Sequence, residues 1–108
     1  MVQTKEFKEI VKKSKLILKK NDVVKAGIFG SFAKGKAKKT SDIDFLVQFK
    51  AGKGLFDLVR LKYQLEDKLN KKVDIVTYRS VHPLLKKEIM SEEIKILWKI
   101  VKFIWNIF

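Results

Sequence analysis

Residues 30–47 read GSFAKGKAKKTSDIDFLV, and the fold is built outward from this stretch. It opens on Gly30-Ser31, crosses a small, basic segment to Ser41, and closes on Asp42-Ile43-Asp44 followed by Phe45, Leu46 and Val47. Side chains alternate along a strand, so Asp42 and Asp44 share one face while Ile43 and Phe45 take the other. Two like charges on one face of an apolar strand repel each other and resist desolvation unless a cation neutralises them. The chain contains no cysteine. Oxygen donors alone favour hard ions, Mg²⁺ or Mn²⁺ rather than zinc.

Immediately upstream, Val23 to Phe29 is a β-rich run that Gly30 stops. Gly30 permits a tight turn with close backbone approach. Ser31 offers a hydroxyl and an amide where a helix could begin, a favourable place for phosphate. Lys34, Lys36, Lys38 and Lys39 add positive charge to the same segment. From Ser31 to Ser41 the chain reads as a loop with almost nothing to bury and room for one helical turn at residues 31–34. Asp42 to Phe49 reads as the second strand.

Downstream, Leu58, Leu61, Leu65 and Leu69 recur at helical spacing and mark a helix over roughly residues 55 to 70. A third strand follows, VDIVTY at 73–78, with Asp74 an acid inside an apolar run. If this strand lies beside the second, Asp42, Asp44 and Asp74 converge. Three acids around two cations about 3.5–4 Å apart make the arrangement used for in-line phosphoryl displacement.

The remaining elements complete an alternation. Phe7, Ile10, Val11, Ile17 and Leu18 predict an amphipathic helix from about residue 3 to 20, ended by Asn21-Asp22. Pro83 suits the first turn of a helix running to about Ser91, and Ile94 to Trp98 reads as a last short strand. Helix, strand, loop, strand, helix, strand, helix and final strand argue for an α/β sheet domain, with strand directions left mixed. The 108 residues form one domain, with a signature region at about 23–98 and an apolar tail at 99–108.

Apolar residues make up 46% of the chain and charged residues 34%, the balance of a folded protein. The net charge is +13, and of 25 basic residues only Arg60 and Arg79 are arginine. Such a surface favours acidic partners, whether nucleotide phosphates, an acidic protein or nucleic acid. The first residues, MVQTKEFKEIVKK, lack the apolar core of a secretory signal. The segment ILWKIVKFIWNIF is shorter than the roughly 20 residues a membrane span needs. Lys99 and Lys102 also interrupt it, so the expectation is a cytoplasmic protein.

Other residues have plainer readings. His82 precedes Pro83 and fits a helix cap rather than catalysis. Tyr63 rims the second helix and Tyr78 ends a strand, roles that outweigh stacking or modification. Lys12, Lys13, Lys15, Lys19 and Lys20 form a solvated face without the interleaved aromatics that single-stranded nucleic acid needs. Trp98, Val101, Trp105 and Phe108 recur at helical spacing. They ask for cover from the chain's own core, a second subunit or a partner, more than from a membrane surface.

The stretch at 30–47 resembles the signature of the polymerase-β-type nucleotidyltransferases: Gly-Ser, a spacer of ten residues, then Asp-x-Asp flanked by apolar positions. VDIV at 73–76 resembles the family's third-acid strand. The likeness is nearest to the minimal nucleotidyltransferase branch, small proteins often paired with HEPN-domain partners in toxin–antitoxin modules. It implies a polymerase-β-like α/β fold, a small mixed β-sheet with helices packed against it. It further implies that Gly30 and Ser31, with Lys34 beside them, bind the β- and γ-phosphates of a nucleoside triphosphate, ATP by preference. Asp42 and Asp44 would bridge two Mg²⁺ ions (or Mn²⁺), with Asp74 completing the ion nearer the attacking hydroxyl. The implied activity is transfer of AMP to a tyrosine of a HEPN-domain toxin, the chain acting as antitoxin. Many relatives carry arginines in the Gly-Ser loop where this chain has Phe32 and Lys34, and lysine meets phosphate as a point charge without a bidentate fork.

Two readings from other classes stand beside this one. A non-catalytic antitoxin would act by complex formation alone. A basic nucleic-acid-binding protein would carry the acids incidentally, and its affinity would fall steeply with salt.

Overall fold

The computed structural model describes residues 5–35 and 42–98. Helix α1 spans Lys5–Lys20, strand β1 Val23–Phe29, strand β2 Ile43–Phe49 and helix α2 Leu55–Leu69. Strand β3 (Val73–Thr77), a 3₁₀ turn (Tyr78–Ser80), helix α3 (Pro83–Glu92) and strand β4 (Ile94–Trp98) follow. The expected sequence of helices and strands is present. Among the described residues no helix is long and apolar enough to cross a membrane. The tail at 99–108 and Lys36, Lys38 and Lys39 lie outside the described residues.

The four strands form one mixed sheet in the order β3-β2-β1-β4. β1 runs antiparallel to both β2 and β4, whereas β2 and β3 are parallel, joined by the α2 crossover. Alternation divides the sheet. Ala26, Ile28, Ile43, Phe45, Val47 and Val73 are buried and belong to one core with Phe7, Ile10 and Leu18 of α1 and with Leu61 and Leu65 of α2. The opposite face therefore carries Gly27 and Phe29 of β1, Asp44 and Leu46 of β2, and Asp74 and Val76 of β3.

Local chemistry sets the ends of the elements. Asp22 adopts φ +62 after α1, and the Asn21 amide donates to the Ile17 carbonyl at 2.8 Å and to Gln64 of α2 at 2.7 Å. The Asp57 carboxylate accepts the Gly54 N–H at 2.8 Å at the start of α2, and Asn70 closes it in the left-handed conformation. The His82 ring accepts the Leu84 N–H at 3.1 Å, the capping role expected of it.

Two strand boundaries differ from the sequence reading. The second strand begins at Ile43, which leaves Asp42 just before it. The third strand ends at Thr77, because Tyr78 opens the 3₁₀ turn. The segment after Gly30 is not free of core residues either. The Lys34 N–H donates to the Gly30 carbonyl at 3.1 Å, closing one helical turn. That turn drives Phe32 and Ala33 into the interior. An aromatic ring two residues past a glycine anchors the turn to the core, where composition alone suggested a loose loop.

Candidate active site

Two hydrogen bonds fix the approach of the parallel strands. The Glu66 carboxylate of α2 accepts the Val73 N–H at 3.0 Å, and the Ile43 N–H donates to the Lys72 carbonyl at 3.0 Å. β2 and β3 are thereby paired with Ile43 opposite Val73 and Asp44 opposite Asp74. The two aspartates stand side by side on neighbouring strands and project from the same face. Asp42, exposed, sits one step before β2.

Their electrostatics follow from this crowding. The Asp44 carboxyl is pushed above the usual carboxylate range, first by burial, then by the charge of Asp74, then by that of Asp42. The four ion pairs seen among the described residues involve none of the three acids. Hard oxygen donors crowded together, reached by none of these ion pairs, fit a divalent ion such as Mg²⁺. In the rotamers present, no three His, Cys, Asp or Glu side chains among the described residues are gathered into a set that could hold a metal ion. The strand register aligns Asp44 with Asp74, and Asp42 stands one residue before β2.

Gly30 meets the acids from the third side. Phe29 pairs with Asp44 across the β1–β2 ladder, so the turn begins beside that aspartate. Gly30 has φ +74, and a β-carbon there would overlap Asp44 Oδ2. Both features favour glycine here, since any β-carbon would have to push the Asp44 carboxylate aside. Ser31 follows at the head of the single helical turn. Lys34 lies on the same turn, its Nζ 3.3 Å from Glu92 of α3 and both side chains partly exposed. An exposed pair of this kind is weak, so Lys34 is held near the turn without being locked. On the β3 side, a cleft of about 420 Å³ is lined by Asp44, Asp74, Ile75, Val76 and by Leu58, Val59 and Lys62 of α2.

The sequence reading missed a second carboxylate on this face. Glu93, between α3 and β4, lays its carboxyl where a β-carbon of Gly27 would stand. It accepts a hydrogen bond from the Tyr78 hydroxyl. Burial, that hydrogen bond and the neighbouring charge, in that order, raise the Tyr78 phenol above its ordinary value. Glu93 Oε1 is buried without a partner. Gly27 is a diagonal neighbour of Asp44, which puts the two residues roughly 7–8 Å apart. A glycine inside a strand was the available signal, since it marks a close approach by something else.

Comparison with known proteins agrees with this geometry. Residues 8–99 match the family described as "Polymerase beta, Nucleotidyltransferase". A Methanocaldococcus jannaschii protein provisionally named a protein adenylyltransferase is 55% identical over 89 residues, covering 82% of this chain and 96% of its own length. The protein adenylyltransferase MntA of Thermococcus cleftensis is 32% identical over 93 residues, covering 85% of this chain and 94% of its own length. A solved minimal nucleotidyltransferase superposes with TM-score 0.73 at 36% identity, covering 81% of this chain and 89% of that one. A toxin–antitoxin complex solved with AMP-PNP has the same fold, with TM-score 0.72 at 23% identity over 86% of this chain and 76% of the other. The chain belongs to the polymerase-β nucleotidyltransferase family, within its minimal nucleotidyltransferase branch.

Proposed function

We propose that this nucleotidyltransferase transfers AMP from ATP, with Mg²⁺, to a hydroxyl of a HEPN-domain protein, and that it acts as the antitoxin of that partner. One observation carries the catalytic part: Asp44 and Asp74 are in register on adjacent parallel strands, with the Gly30 turn against Asp44. The names of the relatives support AMP as the transferred group. Among proteins of the same fold, one solved complex pairs a tri-AMPylated HEPN toxin of Shewanella oneidensis with its MNT antitoxin. That pairing supports a HEPN-domain partner and AMP as the group it receives.

In this reading Gly30 and Ser31 hold the β- and γ-phosphates through backbone N–H groups and the Ser31 hydroxyl, with Lys34 adding a cationic contact. Asp42, Asp44 and Asp74 would hold Mg²⁺, which when bound neutralises charge on the phosphates and on the attacking oxygen. The acceptor oxygen forms a bond to the α-phosphorus, the bond from that phosphorus to the bridging oxygen breaks, and pyrophosphate leaves. The hydroxyl proton passes to water by way of the exposed Asp74 carboxylate.

The test is transfer of labelled AMP from ATP to the HEPN-domain protein of the same genome. Asp42→Ala/Asp44→Ala should lower it by about 10³-fold or more, since several kcal/mol of charge stabilisation disappear. The fold, followed by circular dichroism, should be intact. Transfer at the wild-type rate by this variant would refute the assignment.

A further inference from the structure

Helix α2 carries an apolar stripe that its core-facing side does not use. Leu55, Phe56, Val59 and Tyr63 are 72, 85, 40 and 64% exposed. At 3.6 residues per turn the four fall within an arc of roughly 100°, beside the arc from which Leu61 and Leu65 enter the core. Contiguous apolar surface of this kind marks a contact with another molecule. The stripe is also continuous with the active cleft. Val59 belongs to both, lining with Leu58 and Lys62 the same cleft as Asp44 and Asp74.

We infer that this stripe is the docking surface for the protein that supplies the acceptor hydroxyl, an inference that rests on the function proposed above. The partner lays an apolar face on Phe56 and Tyr63, and that placement delivers its hydroxyl past Val59 to the paired aspartates. Lys62 flanks the stripe on the cleft side and Arg60, paired with Asp57 at 3.6 Å, on the other, in a chain of net charge +13, so the matching face is apolar with acidic groups toward Lys62. A second copy of this chain would bring an equal excess of positive charge against this one. That charge favours a different protein as the occupant.

The test uses the full chain carrying Phe56→Asp/Tyr63→Asp and the HEPN-domain protein of the same genome. Partner affinity and AMP transfer should both fall by about 100-fold or more, as for truncation of central aromatic anchors. ATP affinity and the sedimentation and melting temperature of the chain alone should match wild type. Asp44→Asn serves as the contrast, with transfer lost and partner binding retained. Wild-type partner affinity in the double aspartate variant would overturn the docking surface. So would a melting temperature lowered by about 5 °C or more, or a changed sedimentation, because the stripe would then be covered by the chain's own tail or by a second copy. Full transfer by Asp44→Asn would refute the catalytic reading and leave the docking surface standing. A wild-type chain that binds no HEPN-domain protein would end both.

Discussion

Asp44 and Glu93 lie on the same face of the sheet, in neighbouring rows, and the fold treats the two carboxylates in opposite ways. Asp44 is crowded by two further acids and met by a bare glycine, and no ion pair among the described residues reaches it, although Lys62 lines the same cleft. Glu93 has a phenol donating to it and occupies space left by the missing side chain of Gly27. Through Oε2 alone, its Oε1 being buried without a partner, Glu93 acts as a brace that ties the end of β3 to the junction of α3 and β4. Asp44 has like charges for neighbours instead, the arrangement that the proposed function fills with an ion. The distinction comes from partners, not from burial, since both side chains are only partly exposed.

The largest expected effect comes from forcing a side chain into the open half of this contrast. Gly30→Ala should lower AMP transfer by about 100-fold, because its methyl displaces Asp44 and the turn by fractions of an ångström. Left-handed backbone strain adds about 1–2 kcal/mol of destabilisation. Steady-state kinetics together with denaturant unfolding would separate the two costs. Near-normal activity in this variant would mean that Asp44 is not held against the turn.

Filling the braced half should act on stability before chemistry. Gly27→Ala forces the Glu93 carboxyl out of its place and should cost about 1–3 kcal/mol. Glu93→Ala made alone removes the carboxyl and strands the Tyr78 hydroxyl. Combined with Gly27→Ala, however, it should cost markedly less than the sum of the two single changes. Urea unfolding of the four proteins in that cycle is the measurement. Additive costs would show that Glu93 and Gly27 do not share the space.

The smallest effect distinguishes the two carboxylates by pH. Because the folded-state pKa of Asp44 is raised, the native chain binds its proton more tightly than the unfolded chain does. Its contribution to stability is therefore present below the ordinary carboxylate value of 3.8 and is lost as pH rises through the raised one. Without metal, Asp44→Asn should melt a few degrees higher than wild type at neutral pH, on the order of 2–5 °C. The gap should close in acid. Added Mg²⁺ and ATP should stabilise wild type and not the variant.

Much of the acid half was legible in the sequence. Period-2 alternation put Asp42 and Asp44 on one face, and Asp74 stood out as a charge inside VDIV. The register that sets Asp44 beside Asp74 depends on the α2 crossover and on Glu66 reaching Val73. Pairings across the chain leave no mark in local spacing. Glu93 was hidden for a related reason: in SEEIK it is one of two acids among polar neighbours, and only the folded chain brings it to Gly27 and Tyr78. Phe32 was misplaced because the glycine and lysines around it outweighed one ring. Leu55, Phe56, Val59 and Tyr63 could have been noted as apolar residues off the leucine face of the second helix. What they border is visible only once β3 lies alongside.

The central claim concerns an ion, and ion binding can be read directly. Mn²⁺ titration followed by electron paramagnetic resonance, with a non-hydrolysable ATP analogue present, would compare wild type with Asp44→Asn and Asp74→Asn. The account predicts nucleotide-dependent Mn²⁺ binding in wild type and affinity weakened by about tenfold or more in each variant. Unchanged Mn²⁺ affinity in both variants would contradict it.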